Sequence, residues 1–120
     1  MSRQKQSLGR WGEAAAAAFL EANGYQIIDR NPRNEYGEVD LVARLGECTV
    51  FIEVKARSSS QFGFPEEAIT PAKQQHMLEA AESYLQTHPE LDGDWRLDVI
   101  AILRVPGGLP EILHFENALS

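Results

Sequence analysis

Two alternating runs joined by a tight turn constrain this chain more than any other feature. In Glu38–Leu45, Val39, Leu41 and Ala43 alternate with Glu38, Asp40 and Arg44. In Thr49–Arg57, Val50, Ile52, Val54 and Ala56 alternate with Phe51, Glu53, Lys55 and Arg57. Period-two alternation is the mark of a strand with one buried face. The link Leu45-Gly46-Glu47-Cys48 reads as a hairpin, because Gly46 accepts positive φ without a Cβ clash. A two-residue turn then sets Asp40 opposite Glu53 and Glu38 opposite Lys55. Side chains so opposed have Cβ atoms about 5 Å apart.

The surrounding segments predict what packs on this hairpin. Residues 1–7 are polar and are expected to be flexible. Leu8–Asn23 reads as a helix, with Ser7 as N-cap, a run of alanines from Ala14 to Ala18, and Asn23-Gly24 as the stop. Tyr25–Asp29 reads as a short strand ended by Arg30-Asn31-Pro32. Ser58 to Phe64 is a loop by composition, a candidate to close over a substrate. A second helix starts at Thr70 (N-cap) with Pro71 in its first turn, and His88-Pro89 ends it. Met77, Leu78, Ala81, Tyr84 and Leu85 form its apolar stripe. Arg96–Arg104 reads as an apolar strand and Ile112–Phe115 as a final edge strand. The order αβββαβ implies an α/β fold with a mixed central sheet flanked by helices.

Length and composition fit that reading. At 120 residues the chain reads as one domain, 1–120, large enough to bury about two-thirds of its unfolded surface. Cys48 stands alone, which excludes an internal disulfide and a thiolate zinc cluster. The N-terminus lacks a signal-peptide pattern, and no apolar run approaches the roughly 20 residues of a membrane span, so a cytoplasmic protein is expected. The net charge of -7 opposes nucleic-acid binding at first sight. The charge is uneven: residues 1–60 carry eight acids and eight bases, and residues 61–120 carry ten acids and three bases. Any working face with positive potential belongs to the first half.

The facing carboxylates carry the chemistry. Asp40 and Glu53 repel each other unless one is protonated or a cation lies between them. A hard divalent ion such as Mg²⁺ or Mn²⁺ suits two carboxylates. Lys55 shares Glu53's face one step along the strand. An ammonium there orients a metal-bound water or meets charge developing on a phosphoryl oxygen. Spacing alone leaves a solvated charged face equally open. Phe51 lies on the same face and argues that the face is covered.

Here a resemblance becomes specific. Asp40 followed by Glu53-Val54-Lys55 resembles the D…ExK signature of the PD-(D/E)xK nuclease superfamily, whose restriction-endonuclease-like core is also αβββαβ. Longer phrases add to it: Gly9-Arg10-Trp11-Gly12-Glu13, Gly37 to Ala43, Val50 to Arg57, and Arg96 to Ile100, with Asn31-Pro32-Arg33 and Lys73. Together they resemble the YraN family of small bacterial proteins, which is similar to the archaeal Holliday junction resolvases. The resemblance implies Mg²⁺ or Mn²⁺ on Asp40, Glu53 and the Val54 carbonyl, with Lys55 as the catalytic lysine. It also implies that Glu13 helps to hold the metal, directly or through water. Without it, Glu13 reads as a solvated helix residue.

The remaining charged and aromatic residues receive plainer readings. Glu38, outside the ligand set, reads as a carboxylate supporting the ligands from behind or as a salt-bridge partner for Lys55 or Arg57, and Asp98, inside an apolar strand, is structural. His76, His88 and His114 lack ligand spacing and read as satisfied or exposed. Trp11 and Phe19 read as core. Arg30, Arg33, Arg44, Arg57 and Lys73 are candidate phosphate contacts, Lys73 because it lies in a helix's first turn.

The expected function is metal-dependent hydrolysis of phosphodiesters in DNA, including branched DNA. The alternative is a nucleic-acid-binding or scaffold module that keeps the fold without catalysis. A homodimer or partner protein is expected, since symmetric cuts need two sites and the basic face is small.

Overall fold

The computed structural model describes residues 3–58 and 70–118, with side chains from Ser7 onward. The expected substrate-closing loop therefore lies, apart from Ser58, outside the described residues. A first helix, α1 (Arg3–Ala22), leads into β1 (Gln26–Arg30). A two-residue pair, β2 (Arg33–Asn34) and β3 (Gly37–Glu38), makes a small hairpin of its own. Then follow β4 (Leu41–Leu45), β5 (Cys48–Arg57), α2 (Pro71–Gln86), β6 (Trp95–Leu103) and β7 (Glu111–Phe115).

The main sheet has the order β1-β4-β5-β6-β7. β5 and β6 are parallel and the other neighbours antiparallel. The single parallel pair follows from the chain: β5 and β6 are joined through α2, a crossover that only parallel strands require. The sheet is mixed, as the element order predicts.

Alternation on β5 sorts the two helices to opposite faces. Val50 and Ile52 join Leu41, Ala43, Ile100 and Ile102 under α1, where Ala16, Ala17 and Leu20 cover them. Trp11 and Phe19 are partly buried against that cluster. Phe51 lies with Val42 and Leu97 under Met77, Ala80, Ala81 and Tyr84 of α2. Phe51 is fully buried and meets Tyr84 and Trp95 edge-on, so the charged face of β5 is covered by α2 along its first half. α2 starts as the sequence predicts. Thr70 is the N-cap, its hydroxyl accepts from the Lys73 N–H at 3.2 Å, and Pro71 opens the helix.

Three expectations are corrected. Helix α1 begins at Arg3, so Ser7 lies within it and not at its cap, and residues 3–7 are helical. The run Glu38–Leu45 is not one strand: Glu38 belongs to β3, and Asp40 stands between the two strands. As a result Val39 packs with Val42 in the α2-side core, not with Leu41. Lastly, Glu38 does not oppose Lys55. It pairs with Arg33 across the small hairpin, at 2.6 Å.

Candidate active site

The turn at Gly46-Glu47 sets the register as expected, with Leu45 opposite Cys48 and Leu41 opposite Ile52. The next pair in that register is Asp40 and Glu53, but Asp40 has left the ladder. Its carbonyl accepts from the Asn31 N–H at 2.9 Å, and its Oδ2 accepts from the Val54 N–H at 2.7 Å. A carboxylate thus takes a strand donor beside Glu53. That places the acid more firmly than strand pairing alone would.

Glu53 is buried, with its side chain only 10% exposed. Two ammonium groups meet its Oε1: Lys55 Nζ at 3.2 Å and Lys73 Nζ at 2.8 Å. Lys55 comes from the same strand and Lys73 from the first turn of α2. The sequence reading set Lys73 among phosphate contacts, and the structure brings it to the carboxylate itself. No sequence signal links positions 53 and 73; the contact follows from the α2 crossover.

The electrostatics reflect this crowding. Burial, then the charge of Glu53, pushes the Asp40 carboxyl up to about 8, against the pull of the Val54 N–H. Glu13 adds to the rise, so its charge reaches Asp40 from α1. Burial and the neighbouring Lys73 hold Lys55 below the ordinary lysine value, against the opposing pull of Glu53. Burial lowers Lys73 as well, but its bonds to Glu53 and Lys55 and the charges of Glu53 and Asp40 together outweigh that and leave it raised.

Helix α1 reaches this end of β5 because Gly12 lets it. A Cβ on Gly12 would come within 2.7 Å of Ala56 Cβ and 3.6 Å of Val54 Cγ1. Glu13 follows directly. Among the described residues, however, no three His, Cys, Asp or Glu side chains converge as a metal-holding group, so Glu13 does not complete a carboxylate triad here.

A cleft of about 290 Å³ opens at the site. Tyr36, Gly37 and Glu38 of the small hairpin line one side and Lys73, His76 and Met77 of α2 the other, with Asp40 and Glu53 between. The hairpin is fastened to α2 by Asn34, whose Nδ2 donates to the Ala80 carbonyl at 3.0 Å. Tyr36 remains 45% exposed at the hairpin's tip. Sequence reading passed over both Asn34 and Tyr36, although the Asn-Glu-Tyr-Gly segment carries a turn signal.

The arginines are dispersed. Arg33 is exposed and paired with Glu38, and Arg30 is exposed at the end of β1. Arg57 is half-buried and donates to the Ala56 carbonyl at 3.2 Å. Arg44 bonds Thr49 near the hairpin turn, away from Asp40.

Asp98 is structural, as read from the sequence. It is fully buried and accepts from Arg96 Nε at 3.0 Å, from His114 Nε2 at 2.7 Å and from the Asn117 N–H at 2.9 Å. His114 is thus satisfied by a carboxylate.

The oxygen donors at this site suit a hard divalent ion. Asp40, Glu53 and the Val54 carbonyl would supply a partial oxygen shell, and Mg²⁺ ordinarily keeps several waters of its own. Buried Glu53, with two lysines on one of its oxygens and Asp40 beside it, also marks a point of the fold that requires positive charge.

Comparison with known proteins gives the family and agrees with the fold. Residues 12–102 match the model of the uncharacterised protein family UPF0102. The chain belongs to this family. A UPF0102 protein of Geobacter sulfurreducens is 46% identical over 119 residues, 99% of this chain and 93% of its own length. A UPF0102 protein of Leifsonia xyli is 44% identical over 111 residues, 92% of this chain and 94% of its own. Among solved structures, Hjc of Archaeoglobus fulgidus, a Holliday junction resolvase, is similar with a TM-score of 0.51. It shares 14% identity, with 89% of this chain and 85% of that one covered. At that identity the likeness concerns the fold alone: this UPF0102 chain has a resolvase-like fold with a restriction-endonuclease-like core. Among the described residues no helix is long and apolar enough to cross a membrane.

Proposed function

We propose that this chain is a metal-dependent endonuclease that hydrolyses phosphodiesters in DNA. The observation that carries the reading is the cluster at one end of β5: Asp40 on the Val54 N–H beside buried Glu53, with Lys55 Nζ 3.2 Å from the latter. A pure binding surface has no use for a buried acid with a second, half-buried one beside it. Branched DNA is the favoured substrate, by analogy with the resolvase that shares the fold.

In this reading Asp40, Glu53 and the Val54 carbonyl hold Mg²⁺ or Mn²⁺, with Glu13 acting through water. A divalent ion so held supplies Lewis acidity and a water acidified for attack. The chain's own residues do the positioning. The Val54 N–H fixes Asp40 Oδ2, so the carboxylate enters the reaction already oriented. Lys55, half-buried on a strand, holds its ammonium where a phosphoryl oxygen gains charge. Arg30, Arg33, Arg57 and Lys73 contact phosphates, giving salt-dependent and largely sequence-independent affinity. The cleft beside Tyr36 admits the strand to be cut. A homodimer, or a partner protein, supplies the second site and the wider basic surface that paired cuts in a junction need.

The net charge of -7 favours a second reading, in which the fold binds or scaffolds nucleic acid without cutting it. A panel of duplex, single-stranded and four-way-junction DNA, incubated with Mg²⁺ or Mn²⁺, separates the two. Metal-dependent cutting of any member supports the enzyme. Binding without cutting under every condition overturns it in favour of the module.

A further inference from the structure

We propose that Lys73 is a resident counter-cation of the site: its ammonium neutralises Glu53 in the metal-free protein and competes with the divalent ion for that carboxylate. The inference rests on the metal-site reading above and adds a regulatory step to it. It comes from three observations. Lys73 Nζ is the nearer of the two ammonium groups on Glu53 Oε1, at 2.8 Å against 3.2 Å for Lys55. Both bonds fall on one oxygen of a carboxylate that a metal would also need. The two lysines also differ in freedom. Lys55 is 17% exposed on a strand, whereas Lys73 is 36% exposed in the cleft mouth on the first turn of α2.

These facts divide the labour between the lysines. Lys55 is held by β5 and stays when an ion enters. The backbone of Lys73 is fixed by the Thr70 cap at the start of a helix, so its long side chain can swing outward without disturbing a strand. Glu53 is nearly buried, and a carboxylate so placed is costly without a cation beside it. Lys73 meets that need before the metal arrives. On exchange it leaves Oε1 and turns toward the cleft, where a DNA phosphate is its natural partner. Affinity for metal is then weakened by the ammonium it must displace, and Lys73 becomes available to DNA only in the loaded site.

Calorimetric titration of Mn²⁺ into the wild-type chain and into Lys73→Met and Lys73→Gln tests this. Removing the competitor takes away one positive charge and one of the two bonds on Oε1, so both variants should bind Mn²⁺ about tenfold more tightly, the scale of one charge-assisted hydrogen bond. Lys73→Arg, which keeps the charge, should stay near wild type. In the unmodified chain, acetylation by an amine-reactive reagent, read by mass spectrometry, should rise at Lys73 on adding Mg²⁺ and stay constant at Lys55. Unchanged or weaker Mn²⁺ affinity in both neutral variants, or unchanged Lys73 labelling, overturns the inference. If Asp40→Asn abolishes Mn²⁺ binding while the Lys73 variants match wild type, the metal site stands and only the role of Lys73 falls. No Mn²⁺ binding by any form overturns both.

Discussion

Asp40 Oδ2 accepts the Val54 N–H at 2.7 Å, so a side chain stands where a strand partner would. The contact joins the end of β4 to the centre of the ExK segment. It also sets the cost of the site, because it fixes a half-buried carboxyl beside the buried Glu53.

Asp40 should therefore lower stability at neutral pH in the absence of metal. Its carboxyl is raised from 3.8 to about 8 in the folded chain, by burial first and Glu53 second. Between those values the folded state binds the extra proton, so stability falls as pH rises. Asp40→Asn removes the titration while its amide oxygen still accepts from Val54. Urea unfolding of the metal-free variant should show a higher midpoint than wild type at pH 8 and little difference at pH 4. Added Mg²⁺ should narrow the gap at pH 8 by stabilising only the wild type.

Asp98 predicts the opposite slope in a lower window. Burial pushes it up, but His114, Arg96 and the Asn117 N–H together outweigh burial and hold it below its ordinary 3.8. Its contribution is present above that value and lost as pH falls through the lower folded value. Asp98→Ala should cost about 3 kcal/mol at pH 7, since Arg96 loses a buried partner. Thermal melts from pH 5 down to pH 2 should show a steeper loss for wild type than for this variant.

Gly12 predicts a packing effect that reaches the site. The Gly12→Ala methyl would meet Ala56 Cβ at 2.7 Å, so α1 must move off β5 at a cost of about 1–3 kcal/mol. Ala56→Gly in the same chain should restore most of the loss. Denaturant midpoints of the two single variants and the double variant measure the coupling.

Much of this was legible in the sequence, and the rest has identifiable causes. Gly46 fixed the hairpin register, and Thr70-Pro71 fixed the start of α2, because turn and cap chemistry are local. The position of Glu53 and Lys55 on one face followed from strand period alone. The departure of Asp40 from β4 did not, because alternation continues through Val39 and Asp40 even though the chain turns there to form β3. Helix α1 extends back to Arg3 because nothing in Arg3–Ser7 breaks a helix, although Ser7 looks like a cap. Lys73 on Glu53 and Asn34 on Ala80 are tertiary contacts made by the α2 crossover, and no local pattern encodes them.

The cluster of Asp40, Glu53 and Lys55 is read as a site that cuts DNA, and Lys55→Ala tests that most directly. Labelled four-way-junction DNA should be incubated with Mg²⁺ and either wild-type chain or the variant, with binding followed in parallel. Wild type should cut in a Mg²⁺-dependent manner, and the variant should lose cutting by a hundredfold or more (about 10²) while it still binds and melts as a folded protein. Equal cutting by Lys55→Ala and wild type would contradict the account.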